Sequence, residues 1–130
     1  MSTKVETFTL PYIPEPIGPY SHIAKTRDFI SISGTAGIDP STGLLAGPDA
    51  YSQARQILQL FKTMLEVAGS DLNHVIHINV FLKDVRDFEE MNRAYREEMA
   101  DHLPARTVIE VSALPKSGAL LTMNLTAVVK

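Results

Sequence analysis

Val75-Ile76-His77-Ile78-Asn79-Val80-Phe81-Leu82 is the run that decides how this chain folds. Ile76, Ile78, Val80 and Leu82 recur at every second position, the period of a strand, and the pattern predicts that these four face a core. On its N-terminal side, Asp49 to Ala68 carries Ala54, Ile57, Leu58, Phe61, Met64 and Leu65 at three/four spacing, which predicts an amphipathic helix. Pro48 and Asp49 suit its first turn, and Gly69 suits the position just past its end. On the C-terminal side, Asp87-Phe88-Glu89-Glu90 has capping-box spacing and predicts a second helix to about Met99.

Further out, Arg106 to Ala113 and Leu120 to Val129 read as the last two strands. Glu6 to Leu10 reads as the first. Pro11, Pro14, Pro16 and Pro19 make Tyr12 to Tyr20 an extended loop. A hairpin joins His22–Lys25 to Phe29–Ser33 around Arg27-Asp28, and Asp39-Pro40-Ser41-Thr42-Gly43 predicts a tight turn. The order β-β-β-α-β-α-β-β describes an α+β fold, residues 1–130 as a single domain, with one sheet and two helices packed on one face.

The period-two reading divides Arg106 to Ala113 into two sides. Thr107, Ile109, Val111 and Ala113 form an apolar side that suits the core beneath the helices, with Met123 and Leu125. Arg106, Val108 and Glu110 fall on the other face, with Val75, His77, Asn79, Phe81, Thr122, Asn124 and Thr126. That face mixes apolar and polar groups, as an oligomer interface holding a wet site does. Arg106, at the start of its strand behind Pro104-Ala105, offers a planar fork that matches a carboxylate in bidentate geometry. The bland alternative pairs it with Glu110 or with an acid of a neighbouring chain.

Composition narrows the function. The 130 residues are 45% hydrophobic and 21% charged, an ordinary globular balance. With no cysteine, thiolate chemistry and disulfides are excluded. No apolar run is long enough to span a membrane, and Met1 to Glu6 lacks the apolar core of a signal peptide, so the expected location is the cytoplasm. Twelve basic against fifteen acidic residues give a net charge of −3, and no basic cluster longer than a pair exists, which argues against nucleic acid. His22, His74, His77 and His102 show no metal-ligand spacing; His74 and His77 read as opposite faces of one strand. No Gly-x-Ser-x-Gly elbow occurs. Gly34-Thr35-Ala36-Gly37 reads as a turn whose amides face a site, and Gly18-Pro19 fixes Tyr20 behind a rigid dipeptide.

Gly18-Pro19-Tyr20-Ser21, Ser31-Ile32-Ser33-Gly34, Gln53-Ala54-Arg55-Gln56, Val80-Phe81-Leu82-Lys83-Asp84, Met91-Asn92-Arg93-Ala94-Tyr95, Pro104-Ala105-Arg106 and Leu114-Pro115-Lys116 occur in this order. From about Pro16 to Val129 the chain closely resembles the Rid family of reactive-intermediate deaminases, the YjgF-type proteins. The resemblance implies a chorismate-mutase-like fold and a homotrimer with sites in the clefts between subunits. It implies hydrolysis of small carboxylate-bearing 2-imino or enamine acids to 2-keto acids plus ammonia, with no cofactor. It further implies that Arg106 binds the substrate carboxylate, that Tyr20 and Asn92 line the pocket, and that backbone groups at Gly34 and Val108 contribute to it.

Two positions depart from the family pattern. Val108 stands where many active members have a cysteine. The last strand, Leu120-Leu121-Thr122-Met123-Asn124, lacks the glutamate that orients water in deaminating members. Thr122, or Asn124, can hold a water by hydrogen bonding but cannot accept its proton; Glu110 is a substitute acid, or else a structural ion pair. The divergence suits a larger, aminomuconate-like substrate. The alternatives are a non-catalytic trimer that binds 2-keto acids and, third, RNA cleavage or translation inhibition.

Overall fold

Two helices lie across one face of a six-stranded mixed sheet in the computed structural model, which describes residues 4–130. The first three residues of the N-terminal stretch lie outside the described residues. The strands are β1 (Glu6–Phe8), β2 (Ile23–Lys25), β3 (Phe29–Thr35), β4 (Ile38–Asp39), β5 (Leu44–Leu45), β6 (Val75–Leu82), β7 (Ala105–Glu110) and β8 (Leu121–Val128); the helices are α1 (Ala50–Val67) and α2 (Phe88–Met99). The sheet order is β1-β2-β3-β8-β6-β7, and β4 and β5 form a separate small hairpin. Only β6 and β7 run parallel, because α2 carries the chain back between them.

The apolar stripe of α1 buries Ile57, Leu58, Phe61, Met64 and Leu65 against Ile23, Ile30 and Ile32 of the sheet. Each such side chain contributes about 1.5–3 kcal/mol of transfer free energy. Asp49 caps α1 by accepting the Ser52 N–H at 2.7 Å, and Gly69 just beyond it takes φ +86°, the left-handed geometry that suits glycine. Gly37 is required for a different reason: a Cβ there would sit 2.3 Å from the Gln53 carbonyl oxygen of α1.

The structure corrects several expectations. Ile76 is 43% exposed, whereas Val75 is buried, because a register shift between Val75 and His77 turns the start of β6 over. Strand β7 presents the opposite face from the one its apolarity suggests. Arg106 pairs with Ile78 and Val108 with Val80, which puts both beneath the helices, while Thr107 and Ile109 stand with Asn79 and Phe81 on the uncovered face. Glu110 likewise pairs with Leu82. The second helix starts where expected, but its capping differs. Residues 85–87 form a 3-10 turn leading straight into α2, so the backbone at Asp87 is not extended and its side chain caps nothing. Asp84 caps the turn instead, accepting from Arg86 N at 2.9 Å. Gly34 and Thr35 are not a turn but the end of β3, where its ladder with β8 slips by one residue. His74 lies in a 3-10 turn before β6, with its Nδ1 2.6 Å from Asp71 Oδ1.

The uncovered face remains half-polar with its corrected membership. Asn79 donates to Asn124 at 2.9 Å, and His77 reaches Asn79 and Thr107 at 3.1 Å each. Ile109, 47% exposed, and half-buried Phe81 stand beside this network.

Candidate functional site

Arg106 gains its setting from the α2–β7 packing. Its guanidinium lies 4.7 Å from the Tyr95 ring centroid and 5.8 Å from that of Phe88, with Nη1 3.8 Å from Met91 Sδ. A cation over an aromatic face is worth about 0.5–2 kcal/mol. No carboxylate among the described residues pairs with it. Glu110, the expected structural partner, instead accepts the Val85 N–H at 2.8 Å.

Asn92, Tyr95, Leu103, Pro104 and Arg106 line a cleft of about 390 Å³, the helix cleft. The Tyr95 hydroxyl and Asn92 Oδ1 are buried beside it with no hydrogen-bond partner in the protomer. Burial pushes the Tyr95 hydroxyl's pKa up, with the Arg106 charge pulling weakly the other way. Val108 packs its side chain on the core. Its backbone serves another direction. Val111 N donates to Leu82 O, so by strand alternation the N–H and C=O of Arg106 and Val108 point to the unpaired edge of the sheet.

Tyr20, Gly34 and Thr122 meet elsewhere. They line a cleft of about 610 Å³, the loop cleft, bounded by the 13–20 loop, the end of β3 and the Pro115-Lys116 turn, with Leu60 and Met64 of α1 among its apolar walls. Tyr20 N closes on Gly18 O at 2.9 Å, a tight turn that leaves the ring 43% exposed. Nothing lies within 4 Å of a Cβ built on Gly34, so no contact inside the protomer accounts for the bare backbone at the β3 slip. Thr122 pairs with Phe81 of β6, on the uncovered face of β8.

The site residues therefore fall into two sets, and no residue lines both clefts. Arg106 and Asn92 belong to the helix cleft; Tyr20, Gly34 and Thr122 belong to the loop cleft.

Residue-type reasoning missed three further members of the loop cleft and one support. His22, Glu15 and Lys116 also line it. His22 is 6% exposed; its Nδ1 accepts Leu10 N–H at 3.0 Å and its Nε2–H donates to Pro14 O at 2.8 Å, which ties the proline loop to β2. Gln53, 1% exposed, donates to Gly47 O at 2.9 Å and Gly118 O at 3.3 Å and accepts Leu120 N–H at 2.9 Å, so it holds the approach to β8. The available signal was a glutamine on the apolar stripe of α1, three residues after Ala50 and four before Ile57. Among the described residues, no three His, Asp or Glu side chains gather as a metal site, and no helix is long and apolar enough to cross a membrane.

Comparison with known proteins identifies relatives of this chain and of its fold. Residues 12–129 match the family model described as Endoribonuclease L-PSP. A RutC family protein of Pyrococcus horikoshii is 48% identical over 103 residues, covering 79% of this chain and 82% of its own. The mouse protein named 2-iminobutanoate/2-iminopropanoate deaminase is 39% identical over 103 residues, covering 79% of this chain and 76% of its own. The crystal structure of RidA from an Antarctic Psychrobacter superimposes with a TM-score of 0.89 at 31% identity, over 95% of this chain and 99% of that one. Family match, relatives and shared fold lead to one conclusion: the chain belongs to the Rid/YjgF family.

Proposed function

We propose that this chain is a cytoplasmic homotrimeric deaminase that hydrolyses small carboxylate-bearing 2-imino acids to 2-keto acids and ammonia. The observation that carries the reading is Arg106, a guanidinium held over the Tyr95 ring in a cleft with no carboxylate of its own. Such a fork binds a substrate carboxylate. The imine carbon then needs an aimed water and little else. Tyr20 and Thr122 supply hydrogen bonds for it, but from the other cleft, so the reading requires the loop cleft of one protomer to meet the helix cleft of a neighbour. The unpartnered edge of β7, the half-polar sheet face around Ile109 and Phe81, and the unexplained bare backbone of Gly34 support that assembly. The mouse relative's name supports the reaction class.

One observation favours a second reading. Strand β8 carries Thr122 and Asn124 but no acid, which suits a trimer that binds 2-keto acids without turnover. RNA cleavage, suggested by the family description, is disfavoured by the net charge of −3.

The deciding assay is semicarbazide competition for 2-iminobutanoate generated in situ. Wild type is expected to shift product from the semicarbazone to 2-ketobutyrate, and Arg106→Ala to lose the effect. No shift by wild type, with 2-ketobutyrate still bound, supports the binder.

A further inference from the structure

We propose that Glu15 is the carboxylate that activates water in this protein, in place of the acid missing from β8; the inference rests on the imine-hydrolysis reading above. Among the residues lining the cleft that gathers Tyr20, Gly34 and Thr122, Glu15 is the sole carboxylate. The other proton acceptor there is occupied, because the one acceptor nitrogen of His22 already takes the Leu10 N–H. Thr122 offers a hydroxyl, too weak a base to take a proton from water.

Glu15 differs from the acids with structural tasks. Asp39 accepts from Ser41, Asp49 from Ser52, Asp84 from Arg86 and Glu110 from Val85. Glu15 makes no hydrogen bond or ion pair among the described residues, so its lone pairs are available to the cleft. Its backbone is nonetheless pinned. Pro14 and Pro16 flank it, a pattern that restricts it to extended geometry, and the Pro14 carbonyl is held by His22 next to buried Ile13.

In the reaction, a water oxygen bonds to the carbon of the protonated imine, the C=N π pair moves to nitrogen, and the water's proton goes to Glu15. Glu15 then returns that proton to the amino nitrogen. The C–N bond breaks with its electron pair leaving on ammonia, and the remaining hydroxyl proton passes through the carboxylate to the departing ammonia as the ketone forms.

The test is Glu15→Gln, which keeps size and removes basicity, in the competition assay. General-base help contributes about 10²–10⁴-fold, so kcat is expected to fall by at least about 10²-fold. KM and 2-ketobutyrate affinity are expected to be unchanged, and the acid limb of the kcat–pH profile to vanish. Thr122→Glu added to Glu15→Gln is expected to restore part of the rate. Wild-type-like kcat in Glu15→Gln overturns the proposal and leaves the deaminase reading standing. Equal losses of kcat and 2-ketobutyrate affinity make Glu15 a binding group and also overturn it. No acceleration by wild type removes both readings.

Discussion

The helix cleft and the loop cleft are built by opposite means. In the helix cleft the charged group is prepacked: the rings of Tyr95 and Phe88 and the Met91 sulfur surround the Arg106 guanidinium, all from one helix facing one strand. Little rotamer freedom is left to lose when an anion arrives. In the loop cleft the polar groups come from a proline-rich loop, a slipped strand end and the start of β8, and their order depends on supports such as His22 and Gln53. One half presents a packed cation, and the other gathers hydroxyl, imidazole and carboxylate side chains on loop and strand ends. Neither half alone holds both sets of groups, which is why the comparison bears on assembly as much as on chemistry.

The strongest way to break this division is complementation. Arg106→Ala and Tyr20→Ala chains, each inactive as homotrimers, are expected to regain activity when co-expressed. In each mixed trimer one site joins an intact loop cleft to an intact helix cleft, about a quarter of all sites after random co-assembly. Hybrids as inactive as the parents would show that the site lies within one protomer. Binding gives the next largest effect. Arg106→Ala is expected to weaken 2-ketobutyrate binding at least about tenfold by calorimetry, since a charged bidentate contact is worth about 1.5–3 kcal/mol, and Arg106→Lys to recover only part. Unchanged affinity would return Arg106 to a packing role.

Assembly itself is checked by light scattering, where a trimer mass is expected at micromolar concentration. Ile109→Asp is expected to lower that mass while circular dichroism keeps its helical signal, because the side chain is already 47% exposed in the protomer. Gln53→Leu sharpens the account of the loop cleft. It strands the Leu120 N–H and two carbonyls, and is expected to cost about 1–3 kcal/mol in urea unfolding.

The smallest effect concerns the start of α2. Arg86 holds the Asp84 carboxyl at about 2, below its ordinary 3.8, mainly through side-chain hydrogen bonds. A depressed folded value means that its contribution is complete above the ordinary carboxylate range and is lost as pH falls from about 4 toward 2. Asp84→Asn is expected to flatten that acid step in the pH dependence of thermal unfolding.

Local pattern was enough for the two helices and the six strands of the main sheet, though not for the small β4–β5 hairpin. The α1 stripe, the Asp49 cap, Gly69 beyond the helix end and the boundaries of β6 all follow from neighbours in sequence, because helix and strand periods are set by the backbone itself. The ordered motifs likewise led to the family and to Arg106, Asn92, Tyr20, Gly34, Val108 and Thr122. Three things belonged to tertiary structure alone. The face of β7 was decided by its parallel register with β6, and no turn links those strands to set it. An arginine under helices reads as misplaced until the rings that accommodate its cation are brought there by α2. That Glu110 accepts the Val85 N–H while Glu15 lines the loop cleft was decided by what the fold brings near each carboxylate, a property of distant residues that no spacing along the chain records.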